Sequence, residues 1–148
     1  MVTIDRATET DAETISTLLG EIEAYYGGDN VPGDLAQVRA ALFGDRPAAT
    51  VLLARDRGQV LGMASYTFLW PASGAESSLY LKELYVREGA RRRGIARALM
   101  DALRDEATDT GCSRVEWTAD RDNPTALAFY KALGAEENRG KVFYRSEK

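Results

Sequence analysis

Apolar and polar residues change their period several times along the chain, and each change marks an element. Val2 to Ala7 alternates, the pattern of a half-buried strand. From Thr10 the period lengthens: Ile15, Leu18, Leu19, Ile22, Tyr25 and Tyr26 recur at helical spacing, Thr10 and Glu13 make a capping box, and Gly27-Gly28 ends the helix. Beyond a turn at Pro32-Gly33, Leu35, Val38 and Leu42 form the inward face of a shorter helix closed by Gly44. Val51 to Arg55 is strand-like, Asp56-Arg57-Gly58 is a hairpin turn, and Gln59 to about Trp70 gives a long strand followed by the loop Pro71-Ala72-Ser73-Gly74.

The second half repeats the alternation on a larger scale. Leu79 to Val86 is apolar-rich and strand-like, and a basic loop, residues 87–94, separates it from an amphipathic helix over Ile95 to about Ala107, with Ile95, Leu99 and Leu103 on one stripe. Ser113 to Ala119 is the next strand. Asn123 is a good N-cap with Pro124 at the first helical position, and the last helix runs to about Leu133 with Gly134 as its C-terminal cap. Lys141 to Arg145 is short and β-like. The order β-α-α-β-β-β-α-β-α-β predicts an α/β fold with one mixed sheet, and a right-handed crossover makes the strands flanking the third helix parallel. With no repeat, low-complexity tract or linker, residues 1–148 read as one domain.

Composition narrows the function. The net charge is −4 with a pI near 5, so the basic loop is local and a general nucleic-acid binder is disfavoured. No window approaches the roughly 20 apolar residues of a membrane span, and the first residues lack the build of a signal peptide. A single cysteine, Cys112, rules out an internal disulfide framework and suits a reducing cytoplasm. With no histidine besides, a structural zinc site and a His-based triad are excluded, and no metal is expected. Cys112 reads as a small core residue rather than an acyl carrier.

The loop carries the chemistry. Residues 87–93 hold four arginines against one glutamate, and the first N–H groups of the following helix lack internal partners at its positive dipole end. A phosphate or pyrophosphate suits that place. Gly89 and Gly94 are spaced as in a P-loop, but Ile95-Ala96 stands where Lys-Ser/Thr is needed, and no G-x-G-x-x-G is present.

Arg91-Arg92-Arg93-Gly94-Ile95-Ala96 has the form R-x-x-G-x-A and resembles the acetyl-CoA loop of the GCN5-related N-acetyltransferases (GNAT). Asn123 to Gly134 resembles that family's N-x-x-A-x-x-F-Y-x-x-x-G signature, with Tyr130 as its tyrosine. Gly62 to Phe68 and Tyr80 to Val86 are similar to the diamine and polyamine acetyltransferase branch, except that Lys82 stands where the first of two adjacent acids is usual. The resemblance implies a single N-acetyltransferase domain whose two parallel strands splay apart at the cofactor site.

It also implies roles. Backbone N–H groups of Arg92, Arg93, Gly94, Ile95 and Ala96 would hold the diphosphate of acetyl-CoA, with Arg91 adding charge. Leu84, Tyr85 and Val86 would bond the pantetheine arm and polarise the thioester carbonyl, although a plain central strand would carry the same side chains. Tyr130 would protonate the departing thiolate of CoA, or pack as an ordinary helix tyrosine. Asn123 caps its helix and is a candidate contact to the cofactor arm. Glu83 is the candidate general base or anchor for a cationic acceptor, against a plain surface pair with Lys82; strict alternation allows only one of the two to face the acceptor. Glu23, Tyr25, Tyr26, Trp70 and Glu76 are expected to line the acceptor pocket.

The expected activity is direct acetyl transfer in a ternary complex to a primary amine of a small molecule. A protein or peptide acceptor, or a non-catalytic acyl-CoA sensor, is the alternative. A cytoplasmic homodimer is expected, with no nucleic-acid or membrane partner.

Overall fold

A computed structural model describes residues 1–148, and the chain divides into two compact units, Met1–Trp117 and Thr118–Lys148. In the first, the strands β1 (Thr3–Arg6), β2 (Thr50–Asp56), β3 (Gln59–Leu69), β4 (Ser78–Val86) and β5 (Arg114–Trp117) form one sheet in sequence order. The first three pairings are antiparallel and β4–β5 is parallel, as the crossover through a helix predicts.

Helices α1 (Ala12–Tyr25) and α2 (Leu35–Phe43) cover one face, where Ile15, Leu18, Ile22 and Val38 join Val51, Leu53, Val60 and Met63 in one apolar cluster. Helix α3 (Ile95–Asp109) touches every strand and buries Ile95, Leu99, Met100, Leu103 and Ala107. Both faces being covered, β2 is buried without a break from Val51 to Ala54, a run that alternation alone would not produce.

Entry into α1 differs from expectation. A 3-10 turn, Glu9–Asp11, precedes the helix, and the box is closed by Thr8 and Asp11: the Thr8 N–H donates to the Asp11 carboxylate at 2.9 Å. The pair Thr10 and Glu13 has the same spacing, but the chain turns two residues earlier because Asp11 also takes an ion pair with Arg55 of β2 at 2.8 Å. The β2–β3 hairpin closes through Arg57-Gly58, both with positive φ, which matches the right-handed twist of the strands.

β4 contains the irregularity that matters most. Ser65 pairs with Glu83 while the next residue, Tyr66, pairs with Leu81, so Lys82 is an extra, unpaired residue. Cross-strand partners share a face. Leu81 therefore lies with Tyr66, while Glu83 lies with Ser65 on the opposite face, the side on which Met63 and Tyr85 join the α1 cluster. Strict alternation from Leu81 to Glu83, which would put both on one face, does not hold, because the bulge breaks it.

In the second unit, α4 (Pro124–Ala132) starts on Asn123, whose Oδ1 accepts from the Ala126 N–H at 3.1 Å. The chain leaves it through Gly134 at φ +85°, with the Ala135 N–H bonded to Tyr130 O at 3.1 Å. The strand expected over Lys141–Arg145 is not formed; the observed order ends at α4. Val142, Phe143 and Tyr144 are three consecutive exposed apolar residues, a run without the period-2 pattern that fixes one face of a strand.

Candidate active site

The basic loop is built as a turn into a helix. After β4, residues 88–90 make a 3-10 turn around buried Ala90, Arg91 is extended, and both Arg92 and Gly94 adopt left-handed backbone, at φ +66° and +75°. For Arg92 that conformation costs about 1 kcal/mol or more. Ile95 anchors the helix start in the core. The first helical bond runs from the Ala98 N–H to Gly94 O at 3.0 Å, so the amides of Ile95, Ala96 and Arg97 precede it and lie at the head of a 15-residue helix. An added Cβ at Gly94 would meet nothing, so this residue is dictated by φ rather than by space.

Three of the four arginines are engaged by the protein itself. Arg93 donates to Asp56 in the β2–β3 turn at 2.6 Å. That hydrogen bond, with the Met1 amino group beside it, holds the Asp56 carboxyl below the usual carboxylate range. Arg91 Nε donates to Val86 O at 3.2 Å, and its guanidinium lies 5.5 Å over the Tyr25 ring. Arg87 donates to Glu21 of α1 at 2.9 Å. The charge of these three thus fastens the loop to the rest of the first unit.

The strand beside the loop changes partners along its length. Pairing of β4 with β5 stops at Leu81↔Trp117, whereas pairing with β3 continues through Leu84↔Ala64, Tyr85↔Met63 and Val86↔Gly62. β5 ends at the Leu81↔Trp117 pair, and Leu84 to Val86 run on beyond it. Gly62 permits the close pairing on the other side, since a Cβ there would stand 2.7 Å from Tyr85 O. Burial pushes the Tyr85 phenol's pKa up, and the neighbouring Glu21 carboxylate adds to it.

The expected acceptor residues fall into two groups. Tyr25, exposed at the end of α1, packs edge-on against Tyr26 at 5.1 Å and Tyr85 at 6.5 Å, with Glu23 exposed on the same helical turn. Trp70 follows Leu69↔Ser78 and donates to Ala75 O at 2.8 Å, with Glu76 in the same loop. Ser78 and Tyr85 are seven residues apart on β4, roughly 23 Å at strand rise, so Trp70 and Glu76 do not share one small pocket with Tyr25 and Tyr26. Glu83, half-buried, is on the α1 side. In the second unit Tyr130 is half-buried, its ring 5.3 Å from that of Phe129.

Reading by motif overlooked Glu21, Asp56 and Arg87. Glu21 was accessible from spacing, since it precedes Tyr25 by one helical turn, but nothing in the sequence pairs it with residues 64 and 66 positions away.

A mixed sheet with one parallel pair, crossed through a long helix, defines an α/β protein. Residues 17–135 match the acetyltransferase (GNAT) family. The thialysine N-epsilon-acetyltransferase of Bos taurus is 30% identical over 145 residues, spanning 92% of this chain and 85% of that protein. An integron cassette protein from the mobile metagenome of V. cholerae superposes with TM-score 0.87 at 34% identity, covering 99% of this chain and 93% of that one. An aminoglycoside acetyltransferase from an uncultured soil metagenomic sample, in complex with trehalose, gives TM-score 0.83 at 25% identity over 99% and 97%. The chain belongs to the acetyltransferase (GNAT) family. It is an acetyl-transfer enzyme, and its relatives include enzymes named for small amines.

Proposed function

We propose that this chain moves an acetyl group from acetyl-CoA to a primary amine of a small molecule by direct transfer in a ternary complex. The observation that carries the reading is the loop itself: left-handed Gly94 leads into a 15-residue helix whose amides at Ile95, Ala96 and Arg97 precede its first hydrogen bond, which supports a diphosphate held by amides of residues 92–96. Beyond Leu81↔Trp117, Leu84 to Val86 offer an extended edge to an amide-bearing arm, as an added strand would use it. Acetyl-CoA supplies the activated thioester.

The chain's own groups then divide the work. An N–H in the stretch Leu84–Val86 polarises the thioester carbonyl, a contribution of roughly 3–4 kcal/mol where such donors have been removed elsewhere. Glu83, directly or through water, takes the proton that a primary ammonium must lose before its nitrogen attacks. As the C–N bond forms and the C–S bond breaks, the Tyr130 hydroxyl would give its proton to the sulfur, and the surplus proton on the new amide nitrogen would pass through water to the phenolate. Asn123 contacts the carrier arm in addition to capping α4. The family match runs from α1 to the end of α4, which supports residues 1–148 acting as one domain.

For the acceptor, the bulge supports Glu83 and Tyr25 on one side of the sheet, with Tyr26 and Glu23 beside them. Exposed Lys82 disfavours a polycation, so a smaller amine, an amino-acid derivative or an amine-bearing antibiotic is the substrate class. The names of the relatives, a thialysine and an aminoglycoside acetyltransferase, support the same class. No helix is long and apolar enough to cross a membrane; a cytoplasmic homodimer is the proposed state, to be checked by sedimentation.

A panel of small amines and peptides, with released thiol as the readout, tests the proposal alongside Gly94→Asp. Turnover of at least one small amine, lost in the variant together with acetyl-CoA binding, is expected. Turnover of peptides alone would overturn the substrate class, and acetyl-CoA binding without turnover of any amine would point to a sensor.

A further inference from the structure

One carboxylate on α1 is shared by the exit of β4 and the entrance of the loop. Glu21 Oε2 accepts from Arg87 Nη2 at 2.9 Å, both its oxygens receive Arg87 Nε at 3.2 Å, and Oε1 also accepts from the Tyr85 hydroxyl at 3.2 Å. Arg87 Nη1 reaches Val60 O at 3.1 Å, and the Arg87 N–H donates to Leu61 O at 2.9 Å. One helical turn beyond Glu21, Tyr25 carries the Arg91 guanidinium over its ring and packs against Tyr85. Arg87 and Arg91 bracket the 3-10 turn Glu88–Ala90, so the segment leading to Gly94 is held from α1 at both ends.

We propose that Glu21 is a positioning residue for the acyl-carrier site, fixing through Arg87 and Tyr85 the point at which β4 passes into the amide loop. The inference rests on the acetyl-CoA reading above and deepens it. Both partners are partly exposed, Arg87 at 33% and Glu21 at 23%, so the pair adds little to stability for its charge alone. Its forked geometry is the asset: two near-parallel N–H donors fix direction as well as distance. The loop amides must converge on one diphosphate, and a shift of about 1 Å in such a constellation is felt strongly. The same links make α1, which ends on the proposed acceptor residue Tyr25 and is followed by Tyr26, sense whether the loop is in place.

The experiment measures acetyl-CoA binding by calorimetry, steady-state constants and melting temperature for the native protein, Glu21→Gln, Arg87→Met, their double variant and Tyr85→Phe. Glu21→Gln is expected to weaken acetyl-CoA binding about five- to tenfold, with kcat at saturating cofactor little changed, as for loss of a directional charge-assisted contact. Arg87→Met should do the same, and the double variant should be no worse than either single one. Unchanged binding in Glu21→Gln, additive losses in the double variant, or a fall in kcat at constant affinity would each overturn the proposal. Should Glu21→Gln fail to fold, Tyr85→Phe decides alone: it removes one hydroxyl, and an unaltered affinity counts against the role. If the native protein itself binds no acetyl-CoA, the functional reading fails first, a result distinct from all of these.

Discussion

Arg91, Arg92 and Arg93 are consecutive in sequence and unlike in use. Arg93 is drawn to Asp56, Arg91 to Val86 O and Tyr25, and Arg92 takes the strained backbone position. A run of like charges reads as an anion site, yet Arg91 and Arg93 are each held by partners within the protein, which a sequence does not display. The signature tyrosine is equally legible, and the role proposed for it makes a sharp expectation. Tyr130→Phe should lower kcat about a hundredfold, within the range of a lost general acid, while acetyl-CoA affinity stays within a factor of a few. Rapid-quench and binding measurements on one preparation check both halves, and an undiminished kcat would remove Tyr130 from the chemistry.

At the scale of elements, helix and strand types follow the hydrophobic period, but their beginnings follow long-range partners. The start of α1 shows why. Two S/T-x-x-D/E spacings overlap there, and the one in use is chosen by Arg55, 44 residues away in β2. Burial pushes the Asp11 carboxyl up, but the Thr8 N–H and the Arg55 guanidinium outweigh it, and the group lies below its ordinary value of 3.8. Its stabilisation is therefore present above that value and lost as the pH falls through the lower folded one. Asp11→Asn should cost about 1 kcal/mol at neutral pH. Denaturant titrations should show that difference shrinking as the pH falls below 3.8 and on through the lower folded value, where both proteins come to carry a neutral side chain. Helix α3 makes the complementary case: its stripe was readable at once, and Leu103 is fully buried as the period demands. Leu103→Ala should destabilise by about 3 kcal/mol, read as a lower denaturant midpoint at constant slope.

For the molecule as a whole, the order of elements and the parallel pairing could be derived from hydrophobic pattern and handedness alone, as far as α4. Two things could not. The aromatics expected to line the acceptor pocket sort to opposite ends of β4 because strand register, set by a hairpin and two bulges, decides which end of the sheet each loop occupies. And the face on which Glu83 stands depends on one residue that has no opposite number. That odd residue acts as a half-step in phase, and it can be removed in two inequivalent ways. Cutting Lys82 out would leave Leu81 facing Tyr66 and Glu83 facing Ser65, with both sides of the sheet dressed as before. Supplying a mate for it, by inserting one residue after Ser65, would make the ladder equally regular and yet carry buried Leu81 and Tyr66 over to the side of Glu83, out of the face they now share.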